Sequence, residues 1–144
     1  MRILLTHSPQ ARELYYGERA LAGLRELGEV KLHDGAAPLE GEALMLAGAE
    51  CDLIVSYRQS AAPAQLFERL PKLIAFLRCA IDIRNVDVAA ASKAGVLVTQ
   101  ASAGFVTAVA EMVLGFWSTC RAASRARRSN IATAACRSPS WDAS

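Results

Sequence analysis

Through residue 100 the chain alternates between short runs of branched apolar side chains and longer stretches whose apolar and charged positions recur every three or four residues. A two-residue period signals a strand and a 3.6-residue period a helix, so the alternation predicts repeated β-α units around a parallel sheet. Strands are predicted at residues 2–6, 30–33, 53–56, 73–77 and 96–99. The third is apolar up to Ser56, as a strand covered by helices on both faces requires. Between the first two strands a helix is predicted over 8–27. Leu14, Leu21, Leu24 and Leu27 fall at helical spacing, with Arg12, Glu18, Arg19, Arg25 and Glu26 elsewhere around it and Gly28 as its C-cap. Further helices are predicted at 40–48, after the Asp34-Gly35 turn and Pro38, at 63–69 with Pro63 in the first turn, and at 87–94 with Gly95 as the cap.

These repeats predict a flavodoxin-like, five-stranded parallel sheet over residues 1–102. From Ala103 the pattern becomes one long helix to residue 126. Phe105, Val109, Met112, Val113 and Phe116 make one strongly apolar face, which Ala108, Leu114 and Trp117 widen. A stripe that wide needs a partner, and two are open: the sheet, or a second copy in a homodimer. Beyond Ala126 the large apolar side chains are Ile131 and Trp141, so the tail 127–144 is expected to be disordered.

Composition narrows the class. The 144 residues, 53% hydrophobic and 21% charged, suffice for one core and exclude full disorder or a collagen-like chain. The net charge of +2 conceals an asymmetry, because residues 121–144 hold five arginines against one aspartate while the rest is slightly acidic. That basic tail lacks interleaved aromatics and a folded scaffold, so no nucleic-acid partner is expected. The apolar stretch 103–117 is too short for a bilayer and carries Glu111, and the N-terminus has no signal-peptide pattern. A soluble, cytoplasmic protein without a membrane partner is expected. Cysteines 51, 79, 120 and 136 form no C-x-x-C pair and are accompanied by two histidines, which predicts reduced thiols and no metal site.

Several functions that such a sheet can carry lack their residues. No two glycines are spaced G-x-G, as a dinucleotide turn needs, and no Gly-Lys precedes Ser or Thr, as a P-loop needs. The strand ends that carry acids and a lysine in a phosphoacceptor receiver hold Thr6-His7-Ser8, Ser56-Tyr57-Arg58 and Gln100-Ala101-Ser102. Residues 6–10 have a proline and no glycine, unlike a flavin phosphate loop. Ser8 beside His7 is no nucleophile pair, since neighbours on extended chain point opposite ways and no G-x-S-x-G elbow exists. His33 reads as a sheet-edge residue rather than a base.

The segment LKLIAFLRCAIDIRNVDVAAASKAGVLVTQASAGFVTAVAEMVLGF resembles the D-isomer-specific 2-hydroxyacid dehydrogenases, the family of phosphoglycerate and formate dehydrogenases. The family counterpart is a strand, an Arg-x-Gly-x-Gly-x-Asp-Asn-x-Asp loop, a helix, a strand ending in Asn-x-Pro-Gly, and a helix opening with Val-Ala-Glu. The first seventy or so residues fit more weakly, including an arginine after the third strand, here Arg58.

The resemblance implies hydride transfer between NAD or NADP and a small 2-hydroxy or 2-oxo acid, by a substrate domain and an inserted Rossmann domain that close on each other. It sets Arg78, Cys79 and Ala80 against the substrate carboxylate, with the N–H groups of Cys79 and Ala80 as donors, and Arg58 near the same cleft. Thr107 would approach the nicotinamide. A strand-end salt bridge is the other reading of Arg78. Departures from the family are Ala80 and Asp82 in place of glycines, Arg84 in place of the loop aspartate, and Gln100-Ala101-Ser102-Ala103-Gly104 for Asn-x-Pro-Gly.

The family's catalytic Arg, Glu and His have no counterpart here, so these residues alone are expected to be inactive and to bind no cofactor. After Phe116 the family pattern gives way to Arg, Ala and Ser. Back-translating residues 117–144, adding one base before the Trp117 codon and regrouping, with permissible choices at the open codon positions, gives Met, Val, Leu and Ile at helical positions, then a basic approach to a Leu-Gly segment. That predicts a frameshift near Trp117 and a truncated dehydrogenase. The competing class is a stand-alone small-carboxylate-binding or dimerisation module without catalysis. The coding DNA beyond the Phe116 codon separates the two.

Overall fold

Ile3, Leu4 and Leu5 have no exposed surface, and they make β1 (Arg2–Leu5) an interior strand covered on both faces. The computed structural model describes the backbone of residues 1–135 and the side chains of residues 1–125. It divides into two units, Met1–Ser102 and Ala103–Ser144.

The first unit is a five-stranded sheet in the order β2-β1-β3-β4-β5, every neighbouring pair parallel. Its strands are β1, β2 (Glu29–Leu32), β3 (Leu53–Ser56), β4 (Ala75–Arg78) and β5 (Leu97–Thr99). The helices between them are α1 (Pro9–Ala11), α2 (Glu18–Leu27), α3 (Gly41–Gly48), α4 (Ala64–Arg69) and α5 (Val88–Lys93). Alternation along the strands sorts the core into two layers. Ile3, Leu5 and Val55 pack with Leu21 of α2 on one face. Leu4, Ile54 and Phe76 pack on the other with Leu44 of α3, Leu66 and Phe67 of α4, and Ala91 of α5. The Phe67 and Phe76 rings meet edge-on at 6.2 Å. The flavodoxin-like α/β class read from the sequence is the fold observed.

Three local expectations are corrected. The helix predicted over 8–27 is broken: after α1 the backbone widens into a π-turn, Arg12–Tyr16, and Gly17 (φ 79°) separates it from α2. That backbone suits glycine, and the break leaves Leu14 64% exposed, outside the core. Gly28 is the C-cap of α2 as expected, but its backbone is extended (φ 170°) rather than left-handed. Glycine is needed because a Cβ there would stand 2.3 Å from the Met1 carbonyl oxygen, which accepts the Glu29 N–H. Pro63 is the N-cap of α4 rather than a first-turn residue. Gly95 at φ 73° does close α5 as expected.

The fourth strand is also displaced from its expected position. β4 begins later than predicted and takes in Arg78, which pairs in register with Ser56. Arg78 is therefore held by the sheet rather than by a loop.

The second unit contains α6 (Val106–Ala135). The helix continues past its expected end at Ala126, since Ala and Arg are strong helix formers. The remainder of the tail expected to be disordered, 136–144, lies outside the described residues. Among the described residues no helix is long and apolar enough to cross a membrane.

Glycine to alanine changes should act with opposite signs at two places. Gly28→Ala must displace the start of the β1–β2 ladder and should cost about 1–3 kcal/mol. Gly23→Ala, inside α2 with open space around it, should gain about 0.5–1 kcal/mol. Urea unfolding of the two variants checks both signs.

Candidate functional site

In an open parallel sheet ligands bind beyond the carboxyl ends of the strands, where the loops after β1, β3 and β4 meet in this order. Here those loops are stitched together by polar side chains. The buried hydroxyl of Thr6, just past β1, accepts hydrogen bonds from the Tyr57 N–H (2.8 Å) and the Ser60 hydroxyl (3.0 Å).

The strongest tie is Arg78, only 4% exposed at the last position of β4. Its Nη1 donates to Ser56 Oγ (2.9 Å), Tyr57 O (2.8 Å) and Ser60 O (2.7 Å). Its Nη2 donates to Arg58 O and Asn85 Oδ1, and its Nε to Asp82 O (3.3 Å). Each nitrogen of the guanidinium is thus engaged, yet no carboxylate forms an ion pair with it among the described residues. Burial lowers its pKa and Asp82 opposes that, but a guanidinium stays charged throughout. The side chain holds the loop over 57–60 and the loop over 79–85 in fixed relation.

The site residues expected from the sequence separate accordingly. Arg78 has no donor left for a substrate; it positions the loop, and the strand-end salt bridge also expected for it does not form. The Cys79 N–H donates to Ser56 O at 3.0 Å, continuing the ladder, so it too is unavailable. The N–H groups of Ala80, Ile81, Asp82 and Ile83 meet no acceptor among the described residues. Arg58 is exposed, with its guanidinium carbon 5.9 Å from the Tyr57 ring centroid. Arg58, Arg78, Asp82, Arg84 and Asn85 line a cavity of about 330 Å³. Thr107 lies in the first turn of α6, in the second unit.

Two features escaped the sequence reading. Asp82 and Arg84, noted as departures, form a bidentate pair with Nε at 2.9 Å and 3.1 Å and Nη2 at 2.7 Å from the carboxylate. Hydrogen bonds from Arg84 hold the Asp82 carboxyl well below the usual carboxylate range. Their i, i+2 spacing in a loop was the available signal.

The second feature is His7, 2% exposed, whose ring lies 5.3 Å from that of Tyr16 and 5.0 Å from that of Tyr57. Its Nδ1 is buried and has no partner among the described residues. Desolvation, then the neighbouring Arg12 guanidinium, lowers its pKa to about 4. Arg12 in turn donates to His7 O (2.9 Å) and His33 O (2.6 Å). Ser8 Oγ caps α1 by accepting from the Ala11 N–H, so it does not address His7. Burial also raises the pKa of the Cys79 thiol and of Tyr16, leaving both protonated at neutral pH. Among the described residues no group of His, Cys, Asp and Glu could hold a metal ion. The arrangement offers backbone donors and guanidinium charge, which suit an anion, and among the described residues no base or nucleophile is placed to attack one.

Comparisons with known proteins give the family and the fold. The family model described as D-isomer specific 2-hydroxyacid dehydrogenase, catalytic domain, matches residues 3–138. A glyoxylate reductase of Korarchaeum cryptofilum is 33% identical over 82 residues, 57% of this chain and 25% of that protein. A D-3-phosphoglycerate dehydrogenase of Methanocaldococcus jannaschii is 29% identical over 125 residues, 87% of this chain and 22% of that protein. The chain thus spans about a quarter of the length of the curated relatives it matches. The solved PH0520 protein of Pyrococcus horikoshii OT3 shares the fold, with a TM-score of 0.69 at 21% identity, covering 89% of this chain and 37% of that one.

The buried imidazole gives a pH signature. Its native pKa of about 4 lies below the ordinary 6.5, so between those values the unfolded chain binds a proton that the native chain refuses. Stability on this account is full above pH 6.5 and falls, by up to roughly 3 kcal/mol, as pH drops to about 4. His7→Gln should flatten that slope in urea unfolding across the window. An unchanged slope would mean that the ring titrates normally.

Proposed function

This chain belongs to the D-isomer-specific 2-hydroxyacid dehydrogenase family, and we propose that its sheet unit anchors the carboxylate of a small 2-hydroxy or 2-oxo acid for hydride exchange with a nicotinamide cofactor. The observation that carries the reading is the run of N–H groups at Ala80, Ile81, Asp82 and Ile83 that meet no acceptor among the described residues, in the loop that Arg78 ties down and whose Asp82 lines a cavity with Arg58 and Arg78. Fixed backbone dipoles with a nearby positive charge bind a carboxylate without needing reorganisation. In this assignment Ala80 and Ile81 donate to the carboxylate, Arg58 adds charge from the rim, and Arg78 sets the loop's geometry.

Among solved proteins of similar fold, a 3-phosphoglycerate dehydrogenase of Entamoeba histolytica is bound to NAD+ and an acyclic imino acid reductase to NADPH. The residues of the sheet unit do not fit that group. At the first β-α turn, where a pyrophosphate would need open backbone, Thr6 and His7 are buried and Ser8 is engaged in capping. These residues alone therefore bind neither NAD nor NADP and transfer no hydride. Thr107 is assigned to the nicotinamide end only where a cofactor domain is present. The face of α6 formed by Val109, Met112, Val113 and Phe116 is assigned to a second copy, because side chains of that size gain about 1.5–3 kcal/mol each on burial.

Calorimetric titration of the 144-residue chain with D-lactate should show one saturable site, weakened about tenfold by Arg58→Gln. NADH fluorescence should not change. Absence of lactate binding, or saturable NADH binding, would contradict the assignment. In sedimentation the chain should self-associate, and Val113→Glu with Phe116→Glu should raise the monomer fraction; a monomer at high concentration would remove the second copy.

A further inference from the structure

At the opposite end of the sheet from the Arg78 loops, the starts of β1 and β2, the last turn of α3 and the turn into β3 surround a cavity of about 280 Å³. Its inner wall is apolar. Cys51 is only 3% exposed, its thiol 3.7 Å from the Ala47 carbonyl oxygen and kept protonated by burial. Leu46 lines the cavity while 68% exposed, so a large apolar side chain there has a face free to cover.

The rim carries charge of both signs, incompletely paired. Lys31 Nζ donates to Ala47 O (2.9 Å), which holds the ammonium at the C-terminal end of α3, yet no carboxylate lies within ion-pair distance of it among the described residues. Arg2 stands 3.6 Å from Glu29 and 3.7 Å from Glu50, beyond hydrogen-bond length. Glu50 is already held by Lys72 at 2.5 Å, whereas the Glu29 carboxylate accepts no hydrogen bond among the described residues. One cation and one anion are left over, and β2 carries them two positions apart, on the same face. Two residues along a strand span about 7 Å. An α-ammonium and an α-carboxylate on one carbon cover about that distance when each adds a hydrogen bond of about 2.8 Å.

We propose that this cavity binds a free α-amino acid with an aliphatic side chain, its ammonium on Glu29, its carboxylate on Lys31 and Arg2, and its side chain against Leu46 and Cys51. A simple carboxylate would leave Glu29 facing its apolar end, and a simple amine would do the same to Lys31. Only the zwitterion meets both charges and adds none. The site shares no residue with the carboxylate anchor and does not rest on the proposed function.

Calorimetric titration of the 144-residue chain tests this with L-leucine, with 4-methylpentanoate, which lacks the amine, with 3-methylbutylamine, which lacks the carboxylate, and with glycine, which lacks the side chain. L-leucine should bind with a Kd of about 1 mM, since exposed charges are each worth little, and the other three about tenfold more weakly. Glu29→Gln, Lys31→Gln and Leu46→Ser should each weaken L-leucine binding several-fold, while Arg58→Gln should leave it unchanged. Circular dichroism checks that each variant is folded. No L-leucine binding, or 4-methylpentanoate binding as tightly as L-leucine, would overturn the proposal. Loss of L-leucine binding in Arg58→Gln would place the ligand at the carboxylate anchor and overturn it too, leaving the proposed function standing.

Discussion

Burying a guanidinium costs several kcal/mol unless its N–H groups are all satisfied, and the carboxyl edge of this sheet is organised around meeting that cost at Arg78. Its partners come from three places: the end of β3, the loop after it, and the loop that follows Arg78 itself. To reach them the two loops must converge, and the register that sets Ser56 opposite Arg78 makes this geometrically available. The same bonds that fix the loops leave the charge uncancelled, since dipoles satisfy N–H groups without neutralising them. A scaffold residue thereby becomes the source of the potential at the neighbouring cavity.

The two sides of the edge differ in character as a result. Past β1 the environment is aromatic and neutral, with His7 held uncharged between Tyr16 and Tyr57. Past β4 it is cationic and rich in unpaired backbone donors. A ligand lying across both would turn its anionic end toward the β4 loop and its less polar part toward the rings. The Asp82–Arg84 pair belongs to the cationic side, and its geometry gives this chain a rim that departs from the glycine and aspartate of the family loop which its sequence resembles.

The fold was legible because the periods of two and 3.6 residues were clean through residue 100, and Leu53–Ser56 falls where the apolar run put it. Two of the misread places share a cause: a glycine and a strand end whose roles are set by something distant in sequence. Gly28 answers to Met1, and Arg78 answers to Ser56, Ser60 and Asn85. Gly17 and the π-turn interrupt a stretch whose leucines still keep helical spacing, so periodicity alone could not reveal the break. Of the site, the loop and Arg58 could be reached from the sequence through the family resemblance. That Arg78 and the Cys79 N–H are already engaged could not, because their acceptors lie about twenty residues away on another strand. His7 was invisible for the same reason, its burial depending on Tyr16 and Tyr57.

The central claim is that Arg78 fixes a loop whose N–H groups from Ala80 to Ile83 stand ready for an anion. Amide hydrogen exchange at those positions tests it most directly. In the free chain Cys79 should be protected and Ala80, Ile81, Asp82 and Ile83 should exchange fast, with Ala80 and Ile81 becoming protected on saturation with a 2-hydroxy acid. Protection of the four amides before any ligand is added, or exchange at Ala80 and Ile81 that the acid leaves unchanged, would contradict the account.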